Sequence, residues 1–336
     1  MPAVLSARPS CGARGADAEG QQLDQRLQRD QRRKGFVNSN GALGDLRRDE
    51  DDYVSNLDAY LQAEWSPIAP LSLMVGFRYS DVQFQSNDHY ITAANPDDSG
   101  STDYGDFAPV AGVMFRPVPS LRTYVSMGRG FETPTFNELS YRADGGAGLA
   151  FNLKPSTGQN YEMGVKWRPN GGLAIDAALF QADTDDELAV VRNTGGRSSY
   201  RNVGSARRRG LETSVNWPIS PRWGMELAYT WLDATFTSAY KVCVVPGCTV
   251  PNITVPAGSR IPGVPEHQGQ LRLNWTPGAW AAALEAVGSS GLVANDIATV
   301  SSPGYLLLNA EAGRNWSFGH SQLRVFARLE NLLDKT

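Results

Sequence analysis

The feature that most constrains the fold of this chain is a strict alternation of apolar and polar residues with a period of two. In Tyr53–Trp65 one alternate set is mainly apolar, and the other carries Asn, Asp, Gln and Glu. Tyr161–Arg168 alternates in the same way. Because successive side chains of a β-strand point to opposite faces, this pattern is typical of a strand with one apolar face. Similar segments follow one another after residue 50, so the sequence predicts about twelve strands and an all-β, antiparallel fold.

The connections between these segments alternate strictly between long and short. The long ones are polar and lie near residues 85–104, 132–158, 185–200, 237–265 and 288–303. The short ones begin with an aromatic residue, usually followed by proline, at Trp65–Leu71, Phe115–Leu121, Trp167–Leu173, Trp217–Trp223, Trp275–Trp280 and Trp316–His320. Outer-membrane barrels have short periplasmic turns at one rim and longer extracellular loops at the other. The pattern therefore predicts an up-and-down transmembrane β-barrel in the bacterial outer membrane.

Tryptophan is concentrated at the short turns. Seven of the eight tryptophans lie on or beside them, and Trp231 is the exception. An indole ring joins an apolar body to an N–H group that needs water or a headgroup, so a ring of indoles at one rim is typical of a membrane interface. We predict an aromatic girdle formed by Trp65, Phe115, Trp167, Trp217, Trp223, Trp275, Trp280 and Trp316. The apolar alternate set is expected to face lipid, and the charged set to line the lumen.

Other features of the sequence bound its class. The net charge of −4 gives no electrostatic case for a nucleic-acid partner. No apolar stretch approaches about 18 residues, which excludes a membrane-spanning helix but not a membrane-spanning β-barrel. Residues 1–34 carry no signal peptide, and we expect a disordered or miscalled leader there, with one barrel domain over residues 35–336. The sequence ends with Asn331–Thr336 and shows no closing strand there, so we expect an incomplete barrel.

Several motifs follow one another in a fixed order. They are Gly130–Leu139, Asn152–Pro155 with Tyr161–Lys166, Asp186–Leu188, Asn202–Ala206 with Arg209–Glu212, Ala228–Ala234, Arg260–His267 and Val325–Asp334. Together they resemble the C-terminal barrel half of TonB-dependent outer-membrane receptors of the ferric-siderophore type, from Gly35 to Thr336. Ser156 departs from that pattern, which usually has glutamate there. The resemblance implies a plugged barrel of about 22 strands, of which this chain would supply about twelve.

The resemblance also implies a function and partners. These are outer-membrane lipid, a ferric siderophore, and the TonB–ExbB–ExbD system acting through a plug domain and a TonB box that have no counterpart in this sequence. Ferric siderophores are often anionic and carry planar chelating groups, so arginine and aromatic side chains on the long connections suit them. The candidates are Tyr141, Arg142, Arg192, Arg197, Tyr200, Arg201 and Tyr240. Uptake of haem, cobalamin or an oligosaccharide, a passive porin and a soluble all-β adhesin remain as alternatives.

No motif indicates catalysis, a resident metal or a cofactor. His89, His267 and His320 are far apart in sequence, and no Gly-x-Ser-x-Gly elbow occurs. Asp183–Glu187 lacks the glycine and the later glutamate of a calcium loop. We therefore expect no enzymatic activity, no metal and no cofactor.

Two of the three cysteines, Cys243 and Cys248, bracket Pro246 and Gly247. A turn at that point would bring the two thiols into disulfide range. No histidine or further cysteine lies nearby, which favours a disulfide in an oxidising compartment over a metal site. The sequence leaves open whether the two thiols are joined.

Overall fold

The computed structural model describes residues 17–335 except 94, 145, 147, 195, 196, 246, 247 and 249, and leaves out the side chains of residues 17–26, 39, 192–194 and 197. The elements in chain order are β1 Asp17–Ser39, β2 Ala42–Ile68, β3 Leu71–Asp88, β4 Gly100–Val118, β5 Leu121–Glu132, α1 Phe136–Leu139, β6 Ser156–Trp167, β7 Ala174–Asp185, β8 Leu188–Thr194, β9 Arg197–Asn202, β10 Ala206–Ser220, β11 Trp223–Phe236, β12 Tyr240–Val242, β13 Ile253–Val255, β14 His267–Trp275, β15 Trp280–Ser289, β16 Leu292–Val293, β17 Ser301–Ser302, β18 Tyr305–Phe318 and β19 Ser321–Leu329.

Thirteen of these strands form one sheet in the order β1-β2-β3-β4-β5-β6-β7-β10-β11-β14-β15-β18-β19. Every neighbouring pair is antiparallel, so the chain runs up and down along the sheet. The remaining strands form three small hairpins, β8–β9, β12–β13 and β16–β17, within the long connections. Among the described residues, β1 and β19 pair on one side only, as in an incomplete barrel. The predicted antiparallel, all-β architecture is thus confirmed.

Strand β1 adds to the expected number of strands. It includes residues 17–34, which fall within the leader that the sequence predicts, whereas residues 1–16 lie outside the described part of the chain. The sequence of β1 is rich in Gln and Arg and shows no alternation of apolar and polar residues, so the pattern of period two does not predict a strand there. Its backbone pairs with β2 from Asp17 opposite Ser66 to Ser39 opposite Ala42. Charge complementarity supports the pairing, since Arg32 bonds Asp49 at 3.0 Å.

The two faces of the sheet differ in exposure and polarity as the alternation predicts, and β3 shows this difference most clearly. Val75, Phe77 and Tyr79 are exposed on the outer face, while Ser80 and Phe84 are buried on the inner face. The outer apolar stretch runs over the nine residues Leu71–Tyr79, the length of a tilted transmembrane strand, about 9–11 residues. No helix in the described ranges is long and apolar enough to cross a membrane.

The apolar belt on the outer face ends at a common level on neighbouring strands. Tyr79 of β3 lies opposite Phe107 of β4, and both rings are exposed. The next outward positions on β3 are Asp81 and Gln83, and Gln83 lies opposite Asp103. Since side chains alternate strictly between the faces, this change from aromatic to charged residues marks the upper border of the belt.

The long connections pack on one another above this belt, and we call residues 133–155, 186–205 and 237–266 the loop cap. A first hydrophobic cluster joins Val82 and Phe84 of β3 to Leu139 and Leu149 of the cap. A second cluster joins the β8–β9 and β12–β13 hairpins to the ends of β10 and β11 through Val191, Val203, Phe236, Val242 and Val255. The loop cap therefore packs through two hydrophobic clusters, and it shares the first of them with the inward side chains at the upper end of β3.

Candidate functional site: the inner face and the loop cap

The inner face carries paired charges, as the alternation predicts. Asp58 of β2 is 5% exposed and accepts a hydrogen bond from Ser80 at 2.5 Å. Arg78 reaches both carboxylate oxygens of Asp58, at 3.0 and 2.7 Å, and Asn56 donates at 2.9 Å. All four residues lie on the inward set of β2 and β3. A carboxylate this enclosed requires such partners, because an unpaired buried charge is costly.

A second charge network occupies the inner face of the last strands. Glu285 of β15 is 8% exposed and accepts hydrogen bonds from Gln270 at 2.8 Å and Asn309 at 3.1 Å. Arg272 lies 3.5 Å from both Glu285 and Glu311, and so bridges β14 to β15 and β18. The inner face is therefore polar and its charges are paired across the three neighbouring strands β14, β15 and β18.

The motif Tyr161–Lys166 has a structural explanation that its sequence did not reveal. Gly164 of β6 lies directly opposite Tyr124 of β5, and a Cβ on Gly164 would lie 2.6 Å from the tyrosine ring. The hydroxyl of Tyr124 donates to Glu162, and the Lys166 ammonium lies 5.9 Å from the ring centroid. The Glu-x-Gly-x-Lys spacing thus holds one aromatic ring of the adjacent strand flat against the inner face.

The motif Arg209–Glu212 uses its glycine in the same way. Gly210 of β10 lies opposite Phe180 of β7, and a Cβ on Gly210 would lie 2.2 Å from the backbone oxygen of Trp231 and 2.7 Å from the Phe180 ring. Glycine in a strand commonly marks a place where another group approaches the backbone closely. Each of these two glycines therefore admits an aromatic side chain that a larger residue would displace.

The motif Gly130–Leu139 forms the entry to the loop cap. Thr135 is the N-cap of the short helix α1, and its side chain and the Glu138 side chain bond each other's backbone N–H groups as a capping box. Leu139 is fully buried in the first hydrophobic cluster, and Pro134 is also fully buried. This motif is therefore a packing element that fixes the 133–155 connection above β3 and β4.

Two of the predicted ligand contacts lie next to each other at the end of α1. The ring of Tyr141 lies 5.1 Å from the Arg48 guanidinium carbon. Arg142 is exposed and bonds Asp144 at 2.6 Å. This hydrogen bond lowers the pKa of Asp144 to about 2, so both groups are charged at neutral pH and neutralise each other.

Tyr200 and Arg201 lie side by side on β9. Tyr200 is half-buried and packs against the first hydrophobic cluster. Arg201 donates to the backbone oxygen of Lys241, which ties β9 to β12, and its Nε atom is buried without a hydrogen-bond partner. Among the residues that the structure describes, Arg201 forms no ion pair.

The structure corrects the prediction for Tyr240. It is 7% exposed, and its ring packs edge to face on Phe236 with centroids 4.8 Å apart. Burial, with Asp296 nearby, raises the pKa of Tyr240. Residue type and spacing do not indicate that the three-residue strand β12 encloses this ring in the second hydrophobic cluster. The side chains of Arg192 and Arg197 lie outside the described residues, although their backbones belong to β8 and β9.

The aromatic residues of the predicted girdle lie beside the short turns. Trp65, Phe115, Trp167, Trp217, Trp223, Trp275 and Trp280 are all exposed, with 40 to 53% of each residue accessible, and Trp316 is half-buried. Trp223 and Trp275 face each other across β11 and β14 with ring centroids 5.9 Å apart. None of these seven exposed rings belongs to either hydrophobic cluster.

A disulfide joins Cys243 to Cys248 in the structure, with Cα atoms 5.6 Å apart. It closes the connection between β12 and β13 within the loop cap. In the described ranges, no group of three or more His, Cys, Asp or Glu side chains is arranged to hold a metal ion.

Comparison with known proteins places this geometry in a family. Residues 12–332 match the family described as "TonB dependent receptor-like, beta-barrel". Among curated proteins, the chain is 25% identical over 243 residues to the "Probable TonB-dependent siderophore receptor PiuA" of Acinetobacter baumannii, covering 68% of this chain and 30% of PiuA. It is 29% identical over 240 residues to the "Catecholate siderophore receptor Fiu" of Escherichia coli O6:H1, covering 67% of this chain and 28% of Fiu.

Solved structures show the same fold. The ferric citrate transporter FecA in its unliganded form matches with a TM-score of 0.73 at 17% identity, over 97% of this chain and 48% of that chain. The siderophore receptor PiuA from Acinetobacter baumannii matches with a TM-score of 0.73 at 19% identity, over 97% and 50%. The chain thus spans about half the length of these structures and less than a third of the curated relatives.

Proposed function

The chain belongs to the family of TonB-dependent receptor β-barrels, which are outer-membrane proteins, and on this premise we propose that it serves in TonB-energised uptake of a ferric siderophore. The observation that carries the proposal is the contrast between the two faces of one sheet. The outer face is an apolar belt, whereas the inner face is polar with its charges paired. Such a wall separates lipid from an aqueous or protein-filled lumen, which a transporter requires.

The names of the relatives support the choice of ligand. PiuA and Fiu are both described as siderophore receptors, and Fiu as one for catecholates. An anionic ferric chelate would meet the loop cap first, since the long connections form the extracellular side in such barrels. We assign no catalytic activity, resident metal or cofactor to the chain. TonB, ExbB and ExbD are proposed partners of the whole receptor.

Arg201 is the proposed ligand contact with the best structural support, and Tyr200 is a further candidate. The Arg142 guanidinium is already neutralised by Asp144, whereas Arg201 pairs with no described carboxylate. A guanidinium forms strong charge-assisted hydrogen bonds with anionic oxygens. Tyr200 precedes Arg201 on β9, so its ring points to the other face of the hairpin, against the first hydrophobic cluster, and would be a separate contact. Tyr141 and Arg142 follow as secondary candidates.

Uptake of radioactive iron from a panel of ferric siderophores tests the proposal in cells that express the full-length gene. We expect uptake of one chelate class that is lost when TonB is deleted. Arg201→Gln should weaken that uptake, and Arg260→Gln, which removes an arginine already paired to Glu266 at 2.6 Å, is the matched control. Uptake that persists without TonB would indicate a passive porin and refute the proposal.

A further inference from the structure

One arginine faces outward in the part of the sheet where the outer face is otherwise apolar. Arg314 of β18 lies opposite Trp280 of β15 and Val325 of β19, and both of these residues are exposed on the outer face. The neighbouring outward positions on β18 are Ala312 and Trp316. Arg314 therefore lies at the level of the aromatic girdle, beside the turn that joins β18 to β19.

The guanidinium of Arg314 lies between two indole rings. Its Cζ atom is 5.2 Å from the ring centroid of Trp280 and 5.1 Å from that of Trp316. A cation held over aromatic faces in this way is fixed in position by the ring quadrupoles while its N–H groups stay available for an anion.

Arg314 has no anionic partner within the described part of the chain. Its side chain forms no hydrogen bond or ion pair there, and its Nε atom is buried and unpartnered. Arg168, at the same rim, is satisfied, since it bonds both carboxylate oxygens of Asp176 at 2.9 and 2.6 Å. An outward, half-buried cation without a counter-ion is costly unless a ligand supplies the missing acceptor.

We infer that Arg314, Trp280 and Trp316 form a binding site for the phosphodiester of a phospholipid headgroup in the periplasmic leaflet. The phosphate accepts hydrogen bonds from the guanidinium, and the acyl chains lie on the exposed apolar surface that runs from Arg314 toward the midplane, which includes Val325, Leu284 and Leu329. A phospholipid is favoured over a free anion, because the site opens onto an apolar surface at the level of the headgroups. This site is independent of siderophore uptake and lies at the opposite rim from the loop cap.

Quenching of tryptophan fluorescence by brominated lipids tests this site in the full-length protein reconstituted from outer membranes. Both lipids carry the phosphodiester, but the choline cation of phosphatidylcholine neutralises its own phosphate and is repelled by the Arg314 guanidinium. We therefore expect brominated phosphatidylglycerol to be preferred over brominated phosphatidylcholine by about tenfold. Arg314→Gln should reduce this preference to about twofold or less, and Arg314→Lys should keep part of it. Arg168→Gln, at the same rim, is the control and should leave the preference unchanged.

Each outcome decides the assignment. An equal preference in the native protein and Arg314→Gln overturns it, provided both migrate as folded barrels on an unheated gel. Loss of the native preference on addition of excess inorganic phosphate would assign the site to a free anion and overturn the lipid assignment. Retention of the preference in phosphate, with its loss in Arg314→Gln, supports it.

Discussion

Replacing Gly164 by alanine tests the physical reading of the Tyr161–Lys166 motif. Gly164 has no unusual backbone angle, so an alanine there would ordinarily stabilise the strand by about 0.4–1 kcal/mol through the unfolded chain. The new Cβ would lie 2.6 Å from the ring of Tyr124, however. The ring must then move, at an overpacking cost of about 1–3 kcal/mol. The lost hydrogen bond from Tyr124 to Glu162 costs about 1 kcal/mol more.

The clash therefore outweighs the gain, and we expect Gly164→Ala to lower the free energy of unfolding by about 1–3 kcal/mol. Equilibrium urea unfolding in phospholipid vesicles, followed by tryptophan fluorescence, measures the change. Gly112→Ala is the matched control, because its Cβ would meet nothing closer than Met74 at 3.5 Å. It should be neutral or stabilising.

A double-mutant cycle separates the clash from a general intolerance of alanine. With Tyr124→Ala already present, the ring is gone, and the same Gly164→Ala change should stabilise the protein by about 0.4–1 kcal/mol. A reversal of sign between the two backgrounds is the expected signature. If Gly164→Ala costs as much without the ring as with it, or costs nothing in the native background, the reasoning is wrong.

Three further predictions concern the inner face and the loop cap. Asp58→Ala should lower the free energy of unfolding by about 2–3 kcal/mol in the same assay, because Arg78 loses its partner. The loss is limited because the Arg78 side chain is half exposed to solvent, and Asp58→Asn should cost less. Asp144→Asn frees Arg142 and should tighten binding of an anionic ferric chelate by about two- to fivefold in a fluorescence titration. Because the pKa of Asp144 is lowered to about 2, the native pair persists at neutral and mildly acidic pH and is lost only as the pH falls through that value. Cys243→Ser should destabilise the β12–β13 hairpin by about 2 kcal/mol, which limited proteolysis would show as faster cleavage within residues 240–255. Reductant should accelerate cleavage of the native chain and leave the cleavage rate of the variant unchanged.

The sequence by itself determined the strand pattern and the two faces. The period of two in Tyr53–Trp65 and Tyr161–Arg168 is a direct consequence of strand geometry, and a sheet between lipid and water permits few other patterns. The alternation of short and long connections fixed the up-and-down order, and the tryptophans beside the short turns lie on the exposed surface. All these features depend on residues close together in the chain, so they can be predicted from the sequence.

Only the tertiary structure decided what depends on partners distant in the chain. β1 has no apolar–polar alternation of its own and forms a strand by pairing with β2. Tyr240 and Arg201 looked equivalent as loop residues, but one is enclosed by the second hydrophobic cluster and the other is not. Gly164 and Arg314 acquire their roles from Tyr124 and Trp280 on neighbouring strands. Residue type and spacing do not encode such contacts, because the register between strands sets them.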